Sequence, residues 1–194
     1  MRKAAVVVVA ALFAACSHSH TAKRAAPTTA VTPATTTVAT TTSTTTRPGP
    51  PACTIAELAV TAEPTQSVMS HGGAQIRFTN NGPGRCVISG YPGVAAMDAA
   101  GHPVGDARRT LHGFIGGAPQ GSQPPVLELR QHETASALVE SLYQGSAPAP
   151  CPEVAALVVT PPGETHSVRL AVQMYGCELE VHPIVPGASG GLGT

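Results

Sequence analysis

From Cys53 to Pro186 the apolar residues of this chain fall in short segments, each closed by a turn signal, and this pattern narrows the possible folds most. In AQIRFTN, Ala74, Ile76 and Phe78 alternate with Gln75, Arg77 and Thr79, the period of two of a half-buried strand. LAVTAE (58–63), VLEL (126–129), AALVVT (155–160), HSVRLAVQMY (166–175) and ELEVHP (178–183) read the same way. Turn residues stand at Asn80 to Gly84, Asp98 to Gly101, Pro161 to Gly163 and Tyr175 to Gly176. HETASALVESLY places Ala135, Leu138, Val139 and Leu142 at helical spacing, but its neighbours are strands and we assign it as one. The expectation is an all-β, immunoglobulin-like β-sandwich spanning residues 52–186.

The core of such a body is light. Of the 194 residues none is tryptophan, and Val, Leu, Ile and Ala must supply most of the packing. Disulfides would compensate. Cys53, Cys86, Cys151 and Cys177 permit three connectivities, of which we favour Cys53 with Cys86 and Cys151 with Cys177, each closing a loop of a few tens of residues. A zinc site is disfavoured because no close Cys-x-x-Cys pair exists.

Residues 1–15 have the layout of a secretory signal, with Arg2 and Lys3 before the apolar run AAVVVVAALFAA. That run falls short of the ~20 apolar residues of a membrane-spanning helix. Ala14 and Ala15 directly before Cys16 resemble a lipobox, so Cys16 is expected to be acylated, as by palmitate, and to anchor the chain to the membrane without a spanning helix. Residues 16–51, rich in Thr and Pro, lack the large apolar side chains that offset ordering entropy. A disordered tether, roughly 30 Å end to end if flexible, is expected there. The expected address is the outer face of the cytoplasmic membrane, in the cell envelope, where disulfides persist. His18 and His20, in SHSH beside the anchor, are read as solvated tether residues.

Every Asp and Glu lies after residue 51, whereas Arg2, Lys3, Lys23, Arg24 and Arg47 lie before it, which leaves a mildly acidic body without lysine. No basic stripe is available to neutralise phosphates, and nucleic acid is excluded as a partner. The stretch FTNNGPGRCVISGYPGV, from Phe78 to Val94, reads as scaffolding. Asn80 opens a turn, Cys86 begins the next strand, and Gly90, Tyr91, Pro92 and Gly93 make a kinked exit.

An early cysteine, a strand entering an Asn-rich turn, Cys-x-x-x-Gly-Tyr-Pro-Gly-Val, Asp98 with Gly101 three positions later, and two late cysteines resemble the actinobacterial envelope proteins grouped as domain of unknown function 4232. The resemblance covers roughly Cys53 to Pro183. It implies a secreted protein or lipoprotein of the cell envelope and assigns no activity. The Gly- and Pro-rich segment HGFIGGAPQGSQPP, from His112 to Pro125, lies outside that pattern.

No catalytic, cofactor or metal set stands out. The Gly-x-Ser-x-Gly match at Gly187 to Gly191 lies in a glycine-rich tail, residues 187–194, expected to fray, with no acid or histidine after it. Met69 and His71, with Met97 and Met174, could offer soft ligands to copper; the alternative is that the methionines fill the core and the histidines lie on the surface. A dispersed triad using Asp98 or Asp106 with a histidine has no local signature, and Glu178 and Glu180 read as surface acids on one strand face. The leading expectation is a non-catalytic binding or interaction domain that meets an unknown envelope protein or cell-wall ligand through residues 112–125, helped by the turns near Asn80 and Tyr91. The alternative is a carrier of metal, such as copper, or of a small ligand; a hydrolase is third.

Overall fold

The structure is a computed structural model that describes residues 49–118, 121, 123–146 and 148–192. Cys16, the signal and most of the tether lie outside the described residues.

Twelve strands and no helix make up this region: β1 (Leu58–Pro64), β2 (His71–Asn80), β3 (Cys86–Ser89), β4 (Gly93–Met97), β5 (Pro103–Asp106), β6 (Arg108–Arg109), β7 (Val126–Leu129), β8 (Thr134–Leu142), β9 (Glu153–Thr160), β10 (Val168–Tyr175), β11 (Cys177–Val181) and β12 (Val185–Pro186). One sheet has the order β1-β2-β8-β11-β6, with β12 also on β8, and the other β10-β9-β4-β5. A separate ribbon pairs β3 with β7. β1 of the first sheet packs against β10 of the second, and the core lies between them. The expected all-β sandwich is the fold observed.

Register explains how a core poor in aromatics still packs. β2 and β8 are antiparallel, and on the inner face Phe78 stands opposite Ala135, Ile76 opposite Ala137 and Ala74 opposite Val139. Each large side chain thus faces a small one, and all six are fully buried. Burying Phe78 or Ile76 contributes roughly 2–3 kcal/mol each.

β8 is the segment with helical spacing, and its burial shows why the period misleads. Residues 135–141 are buried on both faces, so apolar residues need not alternate. The inner face meets the sandwich core. The outer face, carrying Ser136, Leu138 and Glu140, is roofed by residues 110–118 and by the C-terminal segment.

That segment corrects the expectation of a frayed tail for residues 187–192. The Ser136 hydroxyl donates to the Gly187 carbonyl at 2.7 Å and accepts from the Gly190 N–H at 2.8 Å. Gly187 N–H donates to Thr134 O at 3.1 Å. A Cβ on Gly191 would sit 2.0 Å from the Gly117 carbonyl oxygen, so only glycine allows this approach. The Gly-x-Ser-x-Gly match therefore forms part of a strap across a sheet, with Ser189 exposed and a turn following it.

Both favoured disulfides form, Cys53–Cys86 and Cys151–Cys177. Cys53 also joins the ribbon through its N–H, which donates to Val87 O at 2.9 Å. Asn80 ends β2 as a buried hub: its amide donates to Gly84 O at 2.8 Å and Leu129 O at 3.0 Å, and its Oδ1 accepts from Gly82 N–H at 2.9 Å. Asn80→Ala removes three bonds from a site 1 % exposed. The expected cost is about 2–3 kcal/mol, measured as a lower midpoint in urea unfolding without a change in slope. The turn from Asp98 to Gly101 closes with Gly101 N–H on Asp98 O at 3.1 Å, Gly101 at φ +85°. The exit from β3 bends at Gly90 (φ +95°), whose carbonyl accepts from Ile184 N–H; Tyr91 is half-buried and Pro92 buried before β4 starts at Gly93.

Candidate functional site

The outer face of the first sheet carries a buried polar cluster that sequence reasoning missed. His71 pairs with Leu142 and Gly73 with Glu140, so His71 and Glu140 share this face, as does Glu180 opposite Glu140. His182 follows β11, its N–H on Leu138 O at 2.9 Å. Glu140 is 3 % exposed and His182 wholly buried.

Four donors converge on the Glu140 carboxylate. His71 Nδ1 lies 2.6 Å from Oε1 and His182 Nε2 3.2 Å from Oε2. The main-chain N–H groups of Phe114 and Ile115 donate to Oε1 at 3.1 Å and Oε2 at 3.2 Å. Burial by itself would raise the carboxyl's pKa. The bonds from Ile115, His182, His71 and Phe114 outweigh it and hold the group below the free value of 4.5. Gly113 is obligatory here: a Cβ would lie 2.2 Å from both Glu140 Oε2 and His182 Nε2.

The cluster continues outward. Thr110 Oγ1 donates to Glu180 Oε2 at 3.0 Å and lies 3.1 Å from His182 Nδ1, while Arg108 pairs with the other Glu180 oxygen. Thr110, His182 and Glu140 thus have the connectivity of a hydroxyl–imidazole–carboxylate triad. Its chemistry is blocked by the surroundings. The imidazole is sealed from solvent, the hydroxyl bonds Glu180, and the two N–H groups that could stabilise an oxyanion are spent on Glu140.

What the cluster does is hold a loop. Gly113 N–H donates to Gly116 O at 2.8 Å and Ala118 N–H to Leu111 O at 3.0 Å, so residues 111–118 form a closed unit seated on Glu140. At its apex Phe114 is 54 % exposed, with one ring face stacked on His71 at a centroid distance of 4.2 Å. Beside it, Val68 pairs with His71 across a two-residue turn made by Met69 (φ 49°) and Ser70 (φ 71°). Positive φ at both central positions suits a hairpin, yet neither residue is glycine, and strain of order 1–3 kcal/mol each is held at this tip. At the same end of the sheet, Tyr143 packs over Gly72 and meets Tyr175 edge to face at 5.3 Å. A cleft of ≈ 450 Å³ opens there, lined by Tyr143, Gln144, Gly145, Pro148, Ala149 and Pro150.

These placements revise several expectations. His182 is core and His71 half-buried, so the histidines are not all surface residues; Met69, 81 % exposed, is no core filler. Met174 does pack against the core, and with Met97 it stands on the second sheet, whereas His71 opens β2 of the first and Met69 lies in the turn before it. Among the described residues no group of three or more His, Cys, Asp or Glu is placed to hold a metal ion. Glu178, at φ 51°, lies where the register with β8 shifts, and it no longer shares a regular strand face with half-buried Glu180. Asp98 does meet a histidine, His102, but on an exposed turn; the His102 N–H on its Oδ1 at 2.8 Å holds the carboxyl low. Of the segment 112–125, residues 112–118 join the exposed end. The turn at Asn80 lies at the other end of the ten-residue β2, about 30 Å away, and cannot contribute to the same contact.

A clue to the cluster does exist in the sequence. Glu140 interrupts the apolar run LVESL and His182 stands in VHPIV, and a charged residue inside a strand buried on both faces requires partners. Neither residue announces which partners.

Comparison with curated proteins and with solved structures gives no match. A family model, Domain of unknown function (DUF4232), matches residues 53–185, the span of the sandwich with all four of its cysteines. The chain belongs to the DUF4232 family.

Proposed function

We propose that this chain is a lipid-anchored cell-envelope protein whose sandwich is a non-catalytic binding module, and that it meets its ligand at the end built from the turn at 68–71 and the loop at 111–118. The observation that carries this reading is the cost of displaying Phe114. A buried acid, two histidines and an obligatory glycine fix a loop whose apex presents a half-exposed apolar ring. Val68, Met69 and Phe114 are exposed together at this end, and a contiguous apolar patch is the kind of surface that marks an interaction site. Rigid support removes the ordering cost that a flexible loop would add to binding.

The lipobox-like Ala14, Ala15 and Cys16 and the Thr/Pro-rich segment support anchorage outside the cytoplasmic membrane. A photo-reactive residue at position 114 tests the contact surface in living cells. Cross-linking to an envelope component is expected there, and a control probe at Gly84, at the far end of β2, is expected to give none. Equal yields from both positions would refute the assignment of the surface. Cys16→Ala is expected to release the protein from the membrane fraction, read by fractionation.

A further inference from the structure

We propose that the hollow beside Gly93 on the second sheet is a binding site for a small zwitterion, an α-amino acid or short peptide with a free ammonium and a free carboxylate. The site shares no residue with the turn at 68–71 or the loop at 111–118 and goes beyond the contact surface built there.

Its floor comes from the Gly-Tyr-Pro-Gly-Val stretch. Val94 and Ala96 point into the core with their β9 partners Val159 and Leu157. Strand alternation therefore turns Gly93, Ala95, Val158 and Thr160 outward, and Asp106, opposite Ala95, with them. These outward residues line a hollow of ≈ 330 Å³ together with Arg109 and Ser167. That volume is at the small end of ligand sites, roughly 300–1,000 Å³. Neither backbone nor packing requires glycine at position 93: its φ lies outside the left-handed region, and a Cβ would make an ordinary contact, 3.4 Å from Thr160 Cβ. What the missing side chain gives is depth.

Two opposite charges line this hollow without meeting. Asp106 ends β5 of the second sheet and Arg109 ends β6 of the first, with Ala107 crossing between them. Neither side chain has a partner among the described residues, whereas Arg77, Arg85, Arg108 and Arg130 each pair with a glutamate. Arg108 takes Glu180, and alternation along β6 turns Arg109 away from that acid.

The charges choose the ligand. A simple anion such as phosphate would set its charge beside Asp106, a simple amine would sit beside Arg109, and an uncharged molecule would cover both without pairing either. A ligand with one ammonium and one carboxylate satisfies both: Arg109 donates to the carboxylate, and Asp106 accepts from the ammonium. The hydroxyls of Thr160 and Ser167 are 2.7 Å apart, and whichever donates to the other, one O–H is left for the ligand. Arg169, opposite Val158 on β10, is the next charge along this row, beyond the lining and on the side away from Asp106. It reinforces the preference for a carboxylate over a bare amine.

The test titrates the full chain in detergent with alanine, alanylalanine, N-acetylalanine and alaninamide, followed by the main-chain amide signals of Gly93, Ala95 and Thr160 in NMR. Alanine or alanylalanine is expected to shift those signals saturably. N-acetylalanine and alaninamide, each lacking one charge, are expected to bind about tenfold more weakly or worse. Which zwitterion binds tighter separates a free amino acid from a peptide. Arg109→Gln should weaken the better zwitterion about tenfold and leave alaninamide unchanged; Asp106→Asn should weaken it similarly and leave N-acetylalanine unchanged. Both side chains are exposed, so these variants should fold, checked by unchanged thermal melting. Gly93→Val keeps both charges and suits a strand, and it should abolish the shifts by filling the hollow. No saturable shift with either zwitterion, or equal binding of all four probes, overturns the site. Zwitterion binding that neither charge variant weakens does the same.

Discussion

Replacing Glu140 by alanine is expected to cost about 3–5 kcal/mol of folding stability, because two histidines and two main-chain N–H groups lose their acceptor and one of the four, His182, is wholly cut off from water. Glu140→Gln keeps the shape but offers one oxygen and one NH₂ group, so donors face donors on one side; a smaller loss, about 2–3 kcal/mol, is expected. Urea unfolding monitored by circular dichroism measures both. The same carboxylate sets a pH dependence. Its folded pKa is depressed, so its contribution is complete above the unfolded value of 4.5 and disappears as pH falls through the lower folded value. The wild type should therefore lose stability below about pH 4.5 more steeply than Glu140→Gln, which has no proton to gain there. Parallel acid limbs for the two proteins would mean that another group controls the acid transition. Phe114 should also lose its fixed setting in Glu140→Gln, visible as faster hydrogen exchange at the Phe114 and Ile115 amides.

The second large effect concerns the bond between Cys53 and Cys86. The two cysteines are 33 positions apart, and closing a loop of that size removes unfolded-state entropy worth about 3.7 kcal/mol in the chain-entropy model. The double replacement by alanine should lower stability by roughly that amount and also leave a gap in the core, where both residues are nearly fully buried. The Cys151–Cys177 pair, 26 positions apart, should have a similar entropic effect but a smaller packing one, because Cys177 is partly exposed. Thermal melting of the two double variants under identical conditions ranks them. A lower melting temperature for the second pair than for the first would show that packing at Cys53 and Cys86 contributes little.

The strands with clean alternation, such as Ala74 to Asn80, were legible in the sequence because one face is core and the other roofed by polar groups; their register was not. β4 escaped notice because GVAAM holds no polar residue to mark an alternation, and the short β5, β6 and β12 are defined by their partners alone. The favoured disulfide pairing is the one that forms, although four cysteines alone permit three. The candidate site was mostly hidden. His71 and His182 stand 69 and 42 positions from Glu140 along the chain, and only the β2–β8 and β8–β11 pairings bring them together. Met69 and Ser70 gave no turn signal because neither is a residue that favours left-handed backbone. The closing segment after Pro186 looked like a loose end because its glycines suggest freedom, whereas two of them serve close contact with Gly117 and Leu138.

The position of the first disulfide has a mechanical consequence. Cys53 precedes every strand of both sheets and is bonded to Cys86 at the start of β3. A pull applied to the chain upstream of Cys53 is therefore delivered through sulfur into the β3–β7 ribbon, and β1 is spared the peeling force that would otherwise unzip it from β2. Under tension the oxidised protein should extend from residue 53 and no further until the ribbon shears, whereas a reducing environment would let the load travel on to β1.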